Sequence, residues 1–225
     1  MNNRIKHALG DALFPADVAE LIATWPLIHF FRLEPGDTVV VAGAYTGKLM
    51  AALLELYPGV NVVGFEPQLW AWELAIARLG RDYPVMRWQV YPFGLGDETR
   101  AGVPMGEFAT DACSFINVGE GSREQGFGNL VEAGEALAPL GSKISLMILN
   151  MEGYEFRLLP YLMKKGLLGQ VKRLAVQWHP FEQLKLETIA WQDPTNEMLA
   201  LLGSPAWPHK LVYDERPTWT YSEAR

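Results

Sequence analysis

A doubly wound, mainly parallel α/β sheet with an antiparallel C-terminal hairpin at its edge is the architecture to which three features of this chain point. Short aliphatic or β-branched runs alternate with longer amphipathic segments, as strands do when crossover helices join them. Each run ends at a glycine or polar residue and is apolar throughout, as expected of strands buried on both faces. The tail "HKLVYDERPTWTYS" breaks the pattern and reads as two strands around a turn.

Taken in order, residues 15–33 have helical spacing interrupted at Pro26, which predicts two short helices or one kinked helix. "DTVVVAGAYTGKLMAALLELYP" passes from a β-branched run through a glycine turn into an amphipathic helix. "NVVGFEP" is a second strand, and Pro67 opens a second helix that Gly80 closes. "PVMRWQVYPFGLGDE" is a third strand with a glycine-rich turn after it, and "ACSFINVG" reads as a short edge strand. "SLMILNMEG" is the fourth core strand, followed by a helix over 153–165, and "KRLAVQWHP" is the fifth. Residues 193–203 read as a helix capped by Asp193, with Pro194 in its first turn. This predicts a single domain with a helical extension (1–36), a ligand-binding core (37–180) and a C-terminal helix and hairpin (181–225).

Composition narrows the function. The chain has 225 residues, 49% of them hydrophobic and 20% charged, which is ordinary for a soluble globular protein. No apolar run approaches the roughly 18 residues of a membrane span, and "LIATWPLIHFF" lacks signal-peptide architecture. The single cysteine, Cys113, excludes an internal disulfide and fits a reducing, cytoplasmic setting. A net charge of −7 argues against a broad nucleic-acid surface. Eight Trp and ten Phe serve either packing or an aromatic groove. No His/Cys/Asp spacing has the form of a metal site.

The candidate site lies where open α/β sheets place ligands, at the carboxyl ends of the strands. Gly43-Ala44-Tyr45-Thr46-Gly47 joins strand to helix, where glycines admit a sharp turn and a helix N-terminus offers N–H groups to an anion. The dinucleotide pattern Gly-x-Gly-x-x-Gly would need glycine at Tyr45 and Lys48, which disfavours an oxidoreductase. Glu66, closing the next strand, has the position of a carboxylate that accepts from ribose hydroxyls. The fourth strand ends in Asn150, Met151, Glu152 and Gly153, and the fifth in His179.

The series "GAYTG … GFEP … GLGDE … ILNMEGYE … VQWHP" resembles the FkbM family of S-adenosylmethionine-dependent methyltransferases over about residues 37–180, with "GFEP" and "MEGYE" its most specific parts. The resemblance implies a class I methyltransferase fold and an S-adenosyl-L-methionine site. Gly43, Ala44 and Gly47 would lie against the methionine end and Glu66 at the ribose, with Tyr45 and Pro67 also among the cofactor-binding residues, and Gly94 to Asp97 near the adenine, where Asp97 is either an acceptor or an ordinary turn aspartate. It also implies O-methylation of a sugar, glycan or small metabolite. Two positions depart from the family pattern: Val41 and Asn150 each stand where it has Asp. An amide can position a donor but cannot take a proton at neutral pH. Glu152 and His179 are therefore rival candidates for a general base, with capping or ion pairing the alternative for Glu152 and a structural hydrogen bond for His179. Glu155 reads as a solvated or structural charge. A non-catalytic cofactor-binding or structural protein of the same fold is the competing functional reading, since Val41 and Asn150 are read as altering one pocket.

Overall fold

The computed structural model describes residues 15–107, 113–115, 124–141, 144–179, 208–215 and 219–224. The helix expected over 193–203 lies outside them. A helix α1 (Pro15–Thr24) and a 3-10 turn (Pro26–Phe30) precede the core, split at Trp25-Pro26 as the proline requires. The core then runs β1 (Thr38–Ala42), α2 (Lys48–Leu56), β2 (Asn61–Phe65), α3 (Leu69–Asp82) and β3 (Trp88–Tyr91). After an intervening segment it resumes with β8 (Leu146–Leu149), α5 (Glu155–Lys164) and β9 (Arg173–Gln177), and ends with β10 (His209–Glu215) and β11 (Trp219–Ala224).

These strands form one sheet in the order β10-β11-β9-β8-β1-β2-β3. The pairs from β9 to β3 are parallel, while β11 is antiparallel to both β9 and β10, so the C-terminal hairpin forms the sheet edge. From β1 the chain goes first toward β3 and later returns on the other side through β8. The order therefore reverses between β1 and β8, where doubly wound sheets open a crevice.

Alternate residues of one strand feed opposite cores. Val40 and Ala42 of β1, with Met147 and Leu149 of β8, pack against Phe156, Leu159 and Leu162 near or on α5. Val39 and Val41, with Leu146 and Ile148, pack against Met50 and Leu53 of α2, Leu79 of α3, and Leu27 and Ile28 from the N-terminal segment. Burial on both faces explains the unbroken apolar runs. At roughly 1.5–3 kcal/mol per fully buried large side chain, these layers are the main source of stability.

Three details differ from expectation. The helix α3 begins two residues after Pro67 and runs through Gly80, which is no cap: the Trp88 ring lies 3.7 Å from where its Cβ would be. The helix α5 starts at Glu155 because Glu152 and Gly153 both have left-handed φ (52° and 98°). The segment expected to be a turn and a short edge strand is a second sheet. It contains β4 (Gly94–Gly96), β5 (Arg100–Glu107), β6 (Cys113–Ser114) and β7 (Glu124–Glu132), in the order β4-β7-β5-β6, with a short α4 (Ala133–Leu137) after it. Its apolar residues are few and interrupted by bulges at Arg100/Val103 and Met105/Gly106, so no alternating run marks it. Val103, Met105 and Leu130 are nonetheless buried.

Candidate active site

A cleft of about 270 Å³ opens above the carboxyl ends of β1, β2 and β8, lined by Gly43, Tyr45, Glu66, Pro67, Gln68, Gly94, Phe115, Asn150, Met151, Glu152 and Tyr154. Seven of the residues singled out in the sequence meet there: Gly43, Tyr45, Glu66, Pro67, Gly94, Asn150 and Glu152. Ala44, Gly47, Asp97 and His179 are not part of its lining.

On the β2 side, Glu66 is 3% exposed. Its Oε2 accepts the Tyr45 N–H at 2.7 Å and its Oε1 the Gln68 N–H at 2.8 Å. Burial pushes its pKa up to about 7; the two N–H donors work against this and the nearby charge of Glu152 adds to it. The turn after β1 is fastened to the same strand end, with the N–H groups of Gly43 and Ala44 both donating to the Phe65 carbonyl at 3.0 Å. Gly47 N–H closes the turn on the Ala44 carbonyl at 2.9 Å. The N–H groups of Gly43, Ala44, Tyr45 and Gly47 are thus taken within the protein. Ala44 is buried under the sheet, and Gly47, with φ 76°, starts α2 against Ala75.

Gly43 has a role the sequence did not reveal. A Cβ there would sit 1.8 Å from the Asn150 carbonyl oxygen, so this glycine is required by the approach of β1 to the end of β8. Val41 is completely buried in the core and does not reach the cleft, so the idea that Val41 and Asn150 alter one pocket does not hold.

The β8 side carries charge and an unmet acceptor. Asn150 Oδ1 is buried without a hydrogen-bond partner among the described residues. Glu152 has φ 52°, a left-handed conformation uncommon for a residue with a side chain and shared across the cleft by Tyr45 at 48°. Behind it, Glu155 is fully buried, so of the two expectations for it the structural charge holds and the solvated one does not. Its Oε2 accepts the Gly153 N–H at 2.9 Å, and its Oε1 accepts the His179 backbone N–H at 2.8 Å and faces the ring Nδ1 at 3.0 Å. The other ring nitrogen, Nε2, lies 3.5 Å from Glu152 Oε2. The two rival bases are therefore neighbours. Burial disfavours the charged ring, but the hydrogen bond and charge of Glu155 and the charge of Glu152 outweigh it and raise the His179 pKa. Burial, then the Glu155 charge, raise that of Glu152 against the pull of His179. "EGYE" followed by a strand-end His was the signal for this cluster, but sequence spacing does not show that Glu155 turns inward.

Aromatic rings surround the cleft. Tyr45 meets Trp70 edge to face at 5.4 Å, and Phe115 meets Tyr154 at 5.9 Å. Asp97 lies beyond them, engaged by the Tyr154 hydroxyl and by Arg157 Nε, each at 2.7 Å. No group of three or more metal-ligating side chains occurs among the described residues, and no described helix is long and apolar enough to cross a membrane.

No family model and no curated protein matches the chain. Solved structures do. A putative O-methyltransferase from Klebsiella pneumoniae is 8% identical over 99% of this chain and 89% of its own, with a TM-score of 0.53. An rRNA methylase from Streptococcus thermophilus is 14% identical over 88% and 94%, with a TM-score of 0.50. A putative tRNA methyltransferase from Streptococcus pneumoniae, solved with S-adenosyl-L-methionine, is 14% identical over 91% and 71%, with a TM-score of 0.47. The expectation of a sugar, glycan or small-metabolite acceptor, with no broad nucleic-acid surface, is overturned by the presence of an rRNA methylase among these matches. The physical reason is that a net charge of −7 averages the whole surface and does not describe what a cleft admits. At such low identity the likeness establishes the fold: the chain has the class I fold of S-adenosylmethionine-dependent methyltransferases.

Proposed function

We propose that the protein transfers a methyl group from S-adenosylmethionine to a nucleic-acid acceptor held at the mouth of the cleft. The observation that carries this reading is Glu66, a buried carboxylate held by two backbone N–H groups at the β2 end and facing a cleft of nucleoside dimensions. The residues present suit the ligand. Glu66 retains lone pairs for ribose hydroxyls, Asn150 Oδ1, without a partner among the described residues, can accept from the methionine ammonium, and Tyr45 and Phe115 line the cleft as aromatic partners for an adenine. S-adenosylmethionine arrives with its methyl already activated, so the protein's part is mainly alignment.

The acceptor class is supported by the rRNA methylase with which the chain shares its fold, and by aromatic side chains at the mouth that suit an unstacked base. FkbM membership is carried by "GFEP" and "MEGYE" alone, and the acceptor that family implies is set aside. The reading without turnover keeps only Asn150, since Val41 belongs to the core. Calorimetric titration with S-adenosylhomocysteine, followed by tritiated methyl transfer to unmodified ribosomal RNA transcripts, tests the proposal. No binding defeats it, and binding without transfer to any transcript defeats the RNA acceptor.

A further inference from the structure

Of the two expectations for Glu155, a solvated or a structural charge, the structure bears out the second: it is the most buried carboxylate of the site and makes three contacts there. An ionised carboxylate only accepts hydrogen bonds, so the His179 Nδ1 facing it at 3.0 Å carries a proton. That fixes the tautomer of the ring and turns Nε2 toward Glu152 Oε2 at 3.5 Å. A neutral ring would oppose its Nε2 lone pair to a carboxylate oxygen, so this pair needs a proton between its members.

We propose that Glu155, His179 and Glu152 form a proton-accepting chain, in which Glu155 is a positioning residue acting through His179 and Glu152 takes a proton from the acceptor. The proposal rests on the methyl-transfer reading above and deepens it by naming the acceptor chemistry. The methylated atom is an exocyclic amine or a hydroxyl, which must lose a proton, and not a ring nitrogen reacting through a free lone pair.

The step balances. As the acceptor heteroatom bonds to the methyl carbon, the carbon–sulfur bond breaks and its electron pair goes to sulfur. The acceptor's proton passes to a Glu152 carboxylate oxygen and later leaves to water. The His179 imidazolium keeps Glu152 ionised until that moment, against burial and the charge of Glu155. The charged groups facing the ring are Glu155 from α5 and Glu152 from the loop before it, with Glu66 beyond Glu152 at the β2 end. The left-handed backbone at Glu152 and Gly153 turns the chain between β8 and α5, and so places both carboxylates around one ring.

The test is a pH titration of the full chain, labelled with ¹⁵N-histidine, following the His179 ring by long-range ¹H–¹⁵N correlation. In the wild type the ring is expected to stay charged above pH 6.5 and, once neutral, to keep its proton on Nδ1. Glu155→Gln is expected to lower the proton affinity of the ring about tenfold or more and to abolish the Nδ1 preference. Glu152→Gln is expected to lower the proton affinity and spare the preference, which keeps the test decisive if Glu155→Gln does not fold. With unmodified ribosomal RNA transcripts, Glu155→Gln is expected to cut kcat and displace the pH–rate profile, leaving KM and S-adenosylhomocysteine affinity near wild type, with partial rescue by Glu155→Asp. A wild-type ring that is neutral at pH 6, a neutral ring protonated on Nε2, or a methyl found on a ring nitrogen overturns the proposal. Failure of the wild type to bind S-adenosylhomocysteine removes the underlying reading and the proposal with it. Intact binding with a ring titration unmoved in both variants overturns the proposal alone.

Discussion

Above β1 and β2 the polar side chains are held by backbone N–H groups, whereas above β8 and β9 they face one another as charges or stand unmatched among the described residues. On the first side Glu66 is held by two N–H groups, and the Gly43–Gly47 turn closes on itself and on the Phe65 carbonyl. On the second, Asn150 Oδ1 has no donor among the described residues, and two carboxylates flank one imidazole. A satisfied, preorganised wall suits binding one ligand in one pose. Ionisable groups set directly against one another, as at Glu155, His179 and Glu152, gather where chemistry is done. The cleft is thus divided between holding and reacting, and substitutions on the two sides should separate affinity from rate.

The largest effect is expected where the two sides touch. Gly43→Ala would put a methyl 1.8 Å from the Asn150 carbonyl, at a φ of 84°. The strand ends would have to separate, with a loss of stability of about 4 kcal/mol or more, the range of severe core lesions. Urea denaturation measures it. A Gly43→Ala protein as stable as wild type would mean that β1 and β8 are not so closely joined.

Next comes the reacting side. Glu152→Gln is expected to slow methyl transfer by about 10²–10⁴-fold, the usual weight of a general base, while S-adenosylhomocysteine affinity stays within a factor of about two. Single-turnover rates at saturating S-adenosylmethionine, beside calorimetry, give both numbers. A variant that loses affinity in proportion to rate would erase the division of labour.

On the binding side, Glu66→Ala is expected to cost about 2–4 kcal/mol of S-adenosylhomocysteine affinity, the weight of two hydrogen bonds to a charged acceptor. The pH dependence carries a sign. Hydroxyl donors favour the ionised carboxylate, and Glu66 titrates at about 7 in the free protein. Affinity should therefore be level above pH 7 and weaken as pH falls below it, by up to about tenfold per pH unit. Stability runs the other way. The folded protein holds this proton more tightly than an unfolded chain, in which the ordinary value is 4.5. The contribution of Glu66 to stability therefore falls as pH rises from 4.5 to about 7, then levels off. Calorimetry and denaturation between pH 5 and 8 read both trends, and a Glu66→Gln protein should lose both.

The same division explains what was legible in the sequence. The parallel core could be read because strands buried on both faces leave unbroken apolar runs, as in Val39–Val41 and Leu146–Leu149. The second sheet could not, because β5 and β7 bury only scattered residues such as Val103, Met105 and Leu130 between glycines and bulges. Glu66 and Glu152 were visible because strand-end position alone predicts their place. Glu155 was not, since one turn into a helix a glutamate is exposed or buried according to what faces it, and His179 arrives from another strand. Gly43 was legible only in part: its positive φ can be guessed from a turn, but its contact with a carbonyl more than a hundred residues away cannot.

The smallest expected effect tests where the binding wall ends. Asp97 follows the short strand β4, where the resemblance to FkbM methyltransferases places an acceptor for adenine. In the structure its two carboxylate oxygens are taken, one by the Tyr154 hydroxyl and the other by Arg157 Nε, each at 2.7 Å. The ion pair is partly solvated, with Arg157 32% and Asp97 21% exposed, so its worth is modest. Asp97→Asn keeps the shape of the side chain, removes its charge and weakens both contacts. It is expected to cost about 1 kcal/mol of stability and to leave S-adenosylhomocysteine affinity unchanged. Tyr154 lines the cleft, so Tyr154→Phe is the matched partner. It removes the same hydroxyl contact from the other end and should cost a similar amount. Because both substitutions break one hydrogen bond, their stability losses should fall short of additive in the double variant. If Asp97→Asn instead weakened ligand binding tenfold at unchanged stability, the carboxylate would be facing adenine, and the binding wall would extend from β2 across the β4 turn.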